Sequence, residues 1–196
     1  MAQKSGKSRK KKNNKKSKRP TRNMKPKGRK TDRVFTLKVF LTDGPMLEEF
    51  VKDNPEVSRT IEIRGDQTLD DLHGAIFRAF ERFDEHLYEF QFGKEPDDPE
   101  GERYTHPSAL EDLGLVPMKP AKDASKTRID SLQLTVRQLF GYWFDFGDDW
   151  WHTIEVISIS DEATGEEYPR VTKRVGESPP QYPALEDEDY EDEDEE

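Results

Sequence analysis

The chain has no cysteine among its 196 residues. Disulfides, thiolate metal ligands and cysteine nucleophiles are therefore excluded, and the composition fits a reducing compartment. No apolar run approaches the length needed to span a bilayer. No apolar segment follows the basic residues at the start, so nothing there reads as a secretory signal. A phosphate-cradling glycine loop and a serine nucleophile elbow are also lacking. The expectation is a cytoplasmic protein with no membrane partner.

Residues 1–33 lack Phe, Tyr and Trp altogether, and hold 16 Lys/Arg against the single acid Asp32. With almost nothing apolar to bury, this stretch is expected to be a disordered basic arm. Residues 184–196 hold ten acids and no base, and are expected to form a disordered acidic tail, extended by self-repulsion. The remainder carries a net charge of −15, so the overall −10 conceals a basic arm, an acidic body and an acidic tail. The expected organisation is an arm over 1–33, one folded domain over 34–183 and a tail over 184–196.

Within the domain the apolar periodicity changes several times. Phe35, Leu37, Val39 and Leu41 alternate, as in a strand, and Ile61 and Ile63 mark a short second one. Thr68 can cap a helix with Asp70 and Asp71 in its first turn, where the helix dipole favours them. Leu69, Leu72, His73, Ile76, Phe77 and Phe80 then fall at helical spacing, predicting an amphipathic helix to about Phe83. Residues 86–93 alternate as a third strand. Residues 95–110 are rich in Pro and Gly and read as a long loop. Residues 131–140 read as a strand followed by a helical turn.

Near the C-terminal end, Tyr142, Phe144 and Phe146 read as one face of a strand. Gly147, Asp148 and Asp149 supply a turn, and Trp150, His152, Ile154 and Val156 share a face of the next strand. The pattern predicts an antiparallel hairpin. The fold class expected is α+β, an antiparallel sheet packed by one main amphipathic helix.

Tyr142, Phe144, Asp145, Phe146, Gly147, Asp148, Trp150, His152 and Ile154 also match the pattern Tyr-x-Tyr/Phe-Asp-Phe-Gly-Asp-x-Trp-x-His-x-Ile. Through these positions the chain resembles the plasmid pRiA4b ORF-3-like proteins, which are associated with mobile elements as transposon passengers. Leu72-His73 with Ile76, His86-Leu87 with Phe90, and Tyr168-Pro169-Arg170 followed by Gly176 and Pro179-Pro180 add to the likeness. The resemblance spans roughly residues 34–183 and implies that fold, but it implies no activity, since the family has none established. Members commonly carry cysteines near the last motif and an acidic pair after the double proline. Here Ser178 precedes Pro179-Pro180 and Gln181-Tyr182 follows, so no metal role can rest on those cysteines.

Two chemistries compete for the polar residues of the hairpin. Asp148 and His152, with His73 from the helix as a third ligand, are of a type that suits manganese, iron or zinc. The structural reading is that Asp beside Gly accepts backbone N–H groups in a turn, and that His152 is a core histidine with a local partner. The structural reading is preferred, so no catalytic residue is assigned and no cofactor is expected; the divalent metal centred on Asp148 and His152 is the enzymatic alternative. His86 and His106 are given no role.

The arm carries the stronger signal. Lys10, Lys11, Lys12, Lys15, Lys16, Lys18 and Arg19 form its densest run, suited to neutralising phosphates and releasing counterions. Without aromatic side chains it has no base-stacking platform, so its binding is expected to be non-specific. The reading is a non-enzymatic protein that contacts nucleic acid or a ribonucleoprotein through its arm. The acidic body serves as a protein-interaction module. A chaperone-like module that binds basic partners is a further alternative.

Overall fold

The computed structural model describes residues 1, 33–98, 100–110, 120–164 and 167–183. The expected arm and tail lie outside the described residues, apart from Met1 and Arg33.

Eight strands form one sheet: β1 (Val34–Asp43), β2 (Ser58–Arg64), β3 (Tyr88–Phe92), β4 (Glu102–Thr105), β5 (Lys122–Asp123), β6 (Leu139–Phe144), β7 (Trp150–Ser160) and β8 (Arg170–Val175). Their order is β5-β4-β3-β6-β7-β1-β2-β8. All pairings are antiparallel except β4 with β5. A short helix, α1 (Glu48–Asp53), follows β1, and the longer α2 (Leu69–Ala79) follows β2. The fold is thus the expected α+β arrangement.

Helix α2 starts where the sequence places it. The Thr68 hydroxyl accepts from the Asp71 N–H (3.1 Å), and the Asp71 carboxylate accepts from the Thr68 N–H (2.7 Å), a reciprocal capping box. Leu69, Leu72, Ala75, Ile76 and Ala79 are buried within the cluster that contains Phe35, Leu37 and Val39 of β1 and Ile61 and Ile63 of β2. Each large side chain so buried contributes about 1.5–3 kcal/mol. The helix ends earlier than its periodicity suggests. Glu81 takes a left-handed backbone (φ 59°), which turns the chain away and leaves Phe83 73% exposed.

The other face of the sheet is covered in part by the loop after β3. The Pro96 carbonyl oxygen lies 2.0 Å from where a Cβ on Gly141 would sit, so only glycine lets that loop rest on β6. On the two adjoining strands, Glu89 of β3 (0% exposed) and Arg103 of β4 (4% exposed) form a buried ion pair. The Arg103 Nε donates to the Glu89 Oε1 (2.7 Å), which also accepts from the Gln91 amide (2.8 Å). Strand β4 lies inside the stretch expected to be a loop. Residues 129–132 form a 3-10 turn, not a strand, with left-handed Gln133 after it.

Candidate functional site

The β6–β7 hairpin pairs Tyr142 with His152, Trp143 with Trp151 and Phe144 with Trp150. Trp150, His152, Ile154 and Val156 are all buried on one face, as their alternation predicts. Phe146 does not join Tyr142 and Phe144. Asp145 adopts a left-handed backbone (φ 57°), which breaks the alternation and sends Phe146 to the opposite face. There its ring sits 4.2 Å from that of Trp143, which stacks on Trp151 at 4.8 Å.

The acids of this turn act on the backbone and on their neighbours. Asp145 Oδ1 accepts from the N–H groups of Gly147 (3.1 Å) and Asp148 (3.4 Å) and so holds the turn. Asp149 also has a left-handed backbone (φ 56°) and accepts from the Trp143 indole N–H (3.0 Å). Asp149→Ala is therefore expected to cost about 1–2 kcal/mol in backbone strain and about 1 more for the lost bond. Asp149→Asn keeps both features, so its urea midpoint should stay near that of the parent while the Ala midpoint falls.

Beside the hairpin, α2 forms one wall of a cleft of about 600 Å³. Asp70, His73, Gly74, Phe77 and Arg78 line it at helical spacing; Glu85 to Tyr88 and His106 with Ser108 complete it. Three of the four histidines of the chain thus meet at one opening. His73 stacks on Tyr88 with ring centroids 3.8 Å apart, and its Nδ1 shares a 2.8 Å hydrogen bond with the Tyr142 hydroxyl. Burial holds its pKa down at about 4, despite the opposing charge of Asp70. The Tyr88 hydroxyl donates to Asp70 (2.5 Å), and burial with that bond pushes its pKa well up. His106 Nδ1 accepts from the Ser108 N–H (3.2 Å) and lies 2.7 Å from the Ser108 hydroxyl, so it caps the turn that follows. His86 Nε2 lies 2.9 Å from the Tyr182 hydroxyl and 3.5 Å from Asp145.

His152 lies deeper, with its ring 5.2 Å from that of Tyr142 and 4.9 Å, edge-on, from Phe80. Burial, and next the charge of Arg82, lower its pKa to about 3, against a smaller opposing pull from the backbone of Tyr142 and Trp150. Neither ring nitrogen reaches a partner at hydrogen-bond geometry. The structure does not bring together Asp148, His152 and His73, the metal set that the sequence offered as the alternative. Tyr142 contacts both His73 and His152. Among the described residues no group of three or more His, Asp or Glu stands where it could hold a metal ion. The reason is strand geometry: Asp148 belongs to the turn, while His152 points inward toward Phe80.

The two buried histidines make stability depend on pH. Their folded pKa values lie below the ordinary 6.5, so the unfolded chain takes up protons that the folded chain rejects. Stability is complete above about pH 6.5 and is lost as the pH falls toward 4 for His73 and 3 for His152. At pH 5 each histidine should account for a loss of roughly 2 kcal/mol. Melting curves at pH 7 and pH 5 check this, and His152→Phe should roughly halve the difference, leaving the part due to His73.

The family described as plasmid pRiA4b ORF-3-like protein matches residues 48–182, and the chain belongs to that family. Among solved structures, a protein of unknown function, MM3350 from Methanosarcina mazei Go1, shares the fold with a TM-score of 0.56 and 23% identity. The match covers 76% of this chain and 72% of that one. No curated protein matches the chain.

The cleft was not legible in the sequence. His86, His106 and the residues of α2 come from three separate segments, and only the pairing of β3 with β4 and β6 brings them together. Arg82 was passed over for the same reason. No local pattern marks a charge between Phe80 and Phe83 as buried.

Proposed function

We propose that the protein acts by binding and not by catalysis, attached to nucleic acid or a ribonucleoprotein through its basic arm, with the folded domain as an interaction module. The carrying observation is the segregation of charge: 16 Lys/Arg in residues 1–33, beside a body of net charge −15. The arm can neutralise phosphates along a backbone, whereas the body repels them. The cleft supports the same reading. His73 is too weak a base to take protons at neutral pH, the Tyr88 hydroxyl is tied to Asp70, and His106 is engaged by its own turn. What remains is a polar recess that suits recognition of a partner group. Among the described residues, no helix is long and apolar enough to cross a membrane.

Replacing Lys10, Lys11, Lys12, Lys15, Lys16, Lys18 and Arg19 by Gln tests the reading. The parent purified without nuclease is expected to carry nucleic acid, seen as excess absorbance at 260 nm, and the substituted chain to carry little. Equal nucleic-acid content in the two preparations would remove the arm from the account.

A further inference from the structure

The sheet face opposite α2 carries a second cleft, of about 490 Å³. Gly141 of β6 lines it, and the lack of a side chain there lets Pro96 and Asp97 of the loop after β3 lie over the strand. The end of β1 lines it too, tied to β7 by the Thr42 hydroxyl, which donates to the Trp151 carbonyl (3.0 Å). Trp151 and Thr153 complete it from β7. They alternate with His152, whose ring is buried on the α2 side, so His152 meets this cleft through its backbone.

The Trp151 indole is held in advance of any ligand. Trp143 stacks on one of its faces, with ring centroids 4.8 Å apart and 8° between planes, and Phe146 backs Trp143 at 4.2 Å. Asp149 in turn fixes the Trp143 indole N–H. Among the described residues, no second ring and no cation rests on the other face of Trp151. The charge of the cleft is one-sided as well. Asp43 and Asp97 are both exposed, no Lys or Arg lines the opening, and neither carboxylate forms an ion pair among the described residues. Asp43 Oδ1 accepts from the Gly44 N–H (2.8 Å), which orients that carboxylate and leaves its second oxygen for a ligand.

A free indole face beside two unpaired carboxylates suits a flat cation, which can lie on the ring while its edge donates to the acids. We infer that this cleft binds an arginine side chain of a basic peptide segment, with Trp151 as the platform and Asp43 and Asp97 as the acceptors. A guanidinium does both at once, because its π face and its five N–H donors are at right angles; the compact ammonium of lysine has no such face. Two carboxylates without a cation also favour a charged ligand over a neutral one of the same shape. The inference names the partner chemistry of the folded domain read above as an interaction module, and rests on that reading and not on the contact of the arm with nucleic acid. The arginine can come from a separate basic protein or from the arm of the same chain, which holds Arg9, Arg19, Arg22 and Arg29.

The test follows the Trp151 indole N–H of the full chain by NMR, assigned by its loss in Trp151→Leu. The probe is the blocked tripeptide acetyl-Gly-Arg-Gly-amide, with the citrulline peptide as its neutral isostere. The arginine peptide is expected to shift that resonance saturably and to bind roughly fivefold or more tightly than the citrulline peptide, by a margin that shrinks as salt rises. Combining Asp43→Asn with Asp97→Asn, both at exposed positions, should bring the arginine affinity down to that of citrulline. Replacing Arg9, Arg19, Arg22 and Arg29 by Gln separates the two sources. If that chain shows a displaced Trp151 resonance and binds the peptide more tightly than the parent, the arm fills the cleft; if both chains bind alike, the cleft serves a separate protein. No shift of the resonance in either chain, or equal affinity for the two peptides, overturns the inference. Neither readout involves nucleic acid, so failure here is distinct from failure of the arm to retain it.

Discussion

Trp150→Ala is expected to lower stability by about 3–5 kcal/mol, the range for truncating a large aromatic in a core. The side chain is fully buried, stacked beneath Arg82 on one side. On another, its six-membered ring lies so close to Gly44 that a Cβ there would stand 2.3 Å from Trp150 Cε3. Gly44 has no side chain with which to fill the space, and Arg82 would lose its platform. The adjacent Trp151 provides the control. It lies half-buried on the opposite face and stacks on Trp143, so Trp151→Ala should cost about 1 kcal/mol for the lost ring pair plus a modest area term. Urea unfolding of both variants checks the ranking, and equal midpoints for Trp150→Ala and the parent would remove the hairpin from the core.

The second large effect belongs to the buried ion pair. Arg103→Leu leaves Glu89 as an uncompensated carboxylate with no exposed surface, and removing one partner of such a pair typically costs about 3–5 kcal/mol. The loss should be recovered in large part by adding Glu89→Leu, since two apolar side chains in place of a buried pair are often close to neutral. A double-mutant cycle measures the coupling directly. If the double variant is as unstable as Arg103→Leu alone, the cost lies in lost packing of the long Arg side chain and not in the orphaned charge.

These two sites also show where the sequence was legible. Trp150 could be placed because β7 alternates cleanly. The same holds for β1 and β2, and for the start of α2, where Thr68 and Asp71, three residues apart, carry the capping signal. Arg103 could not be placed. Strand β4 has only four residues, sits among Pro and Gly, and is a strand because β3 and β5 pair with it. Strand β8 is similar: its sequence RVTKRV is basic and largely exposed, and it is a strand because β2 pairs with it. Phe83 and Phe146 misled for one shared reason. Both continue an apolar rhythm past a residue with a left-handed backbone, Glu81 and Asp145, and an L-residue in that conformation gives no clear advance notice. In the candidate site, His73 and His152 were singled out from their faces, while His86, His106 and Arg82 depended on contacts between distant segments.

If the arm binds nucleic acid as proposed, the acidic tail is expected to oppose it. The two share one chain, so the tail is present near the arm at high effective concentration and competes with phosphates for the same cations. With a screening length of about 8 Å at physiological salt, that competition should fade as salt rises.

The most direct measurement is affinity for duplex DNA and single-stranded RNA across a salt series, for the full chain, residues 1–183 and residues 34–196. The full chain should bind with a steep salt dependence, removal of the tail should tighten binding most at low salt, and removal of the arm should abolish it. Binding by 34–196 that equals the full chain would contradict the central claim.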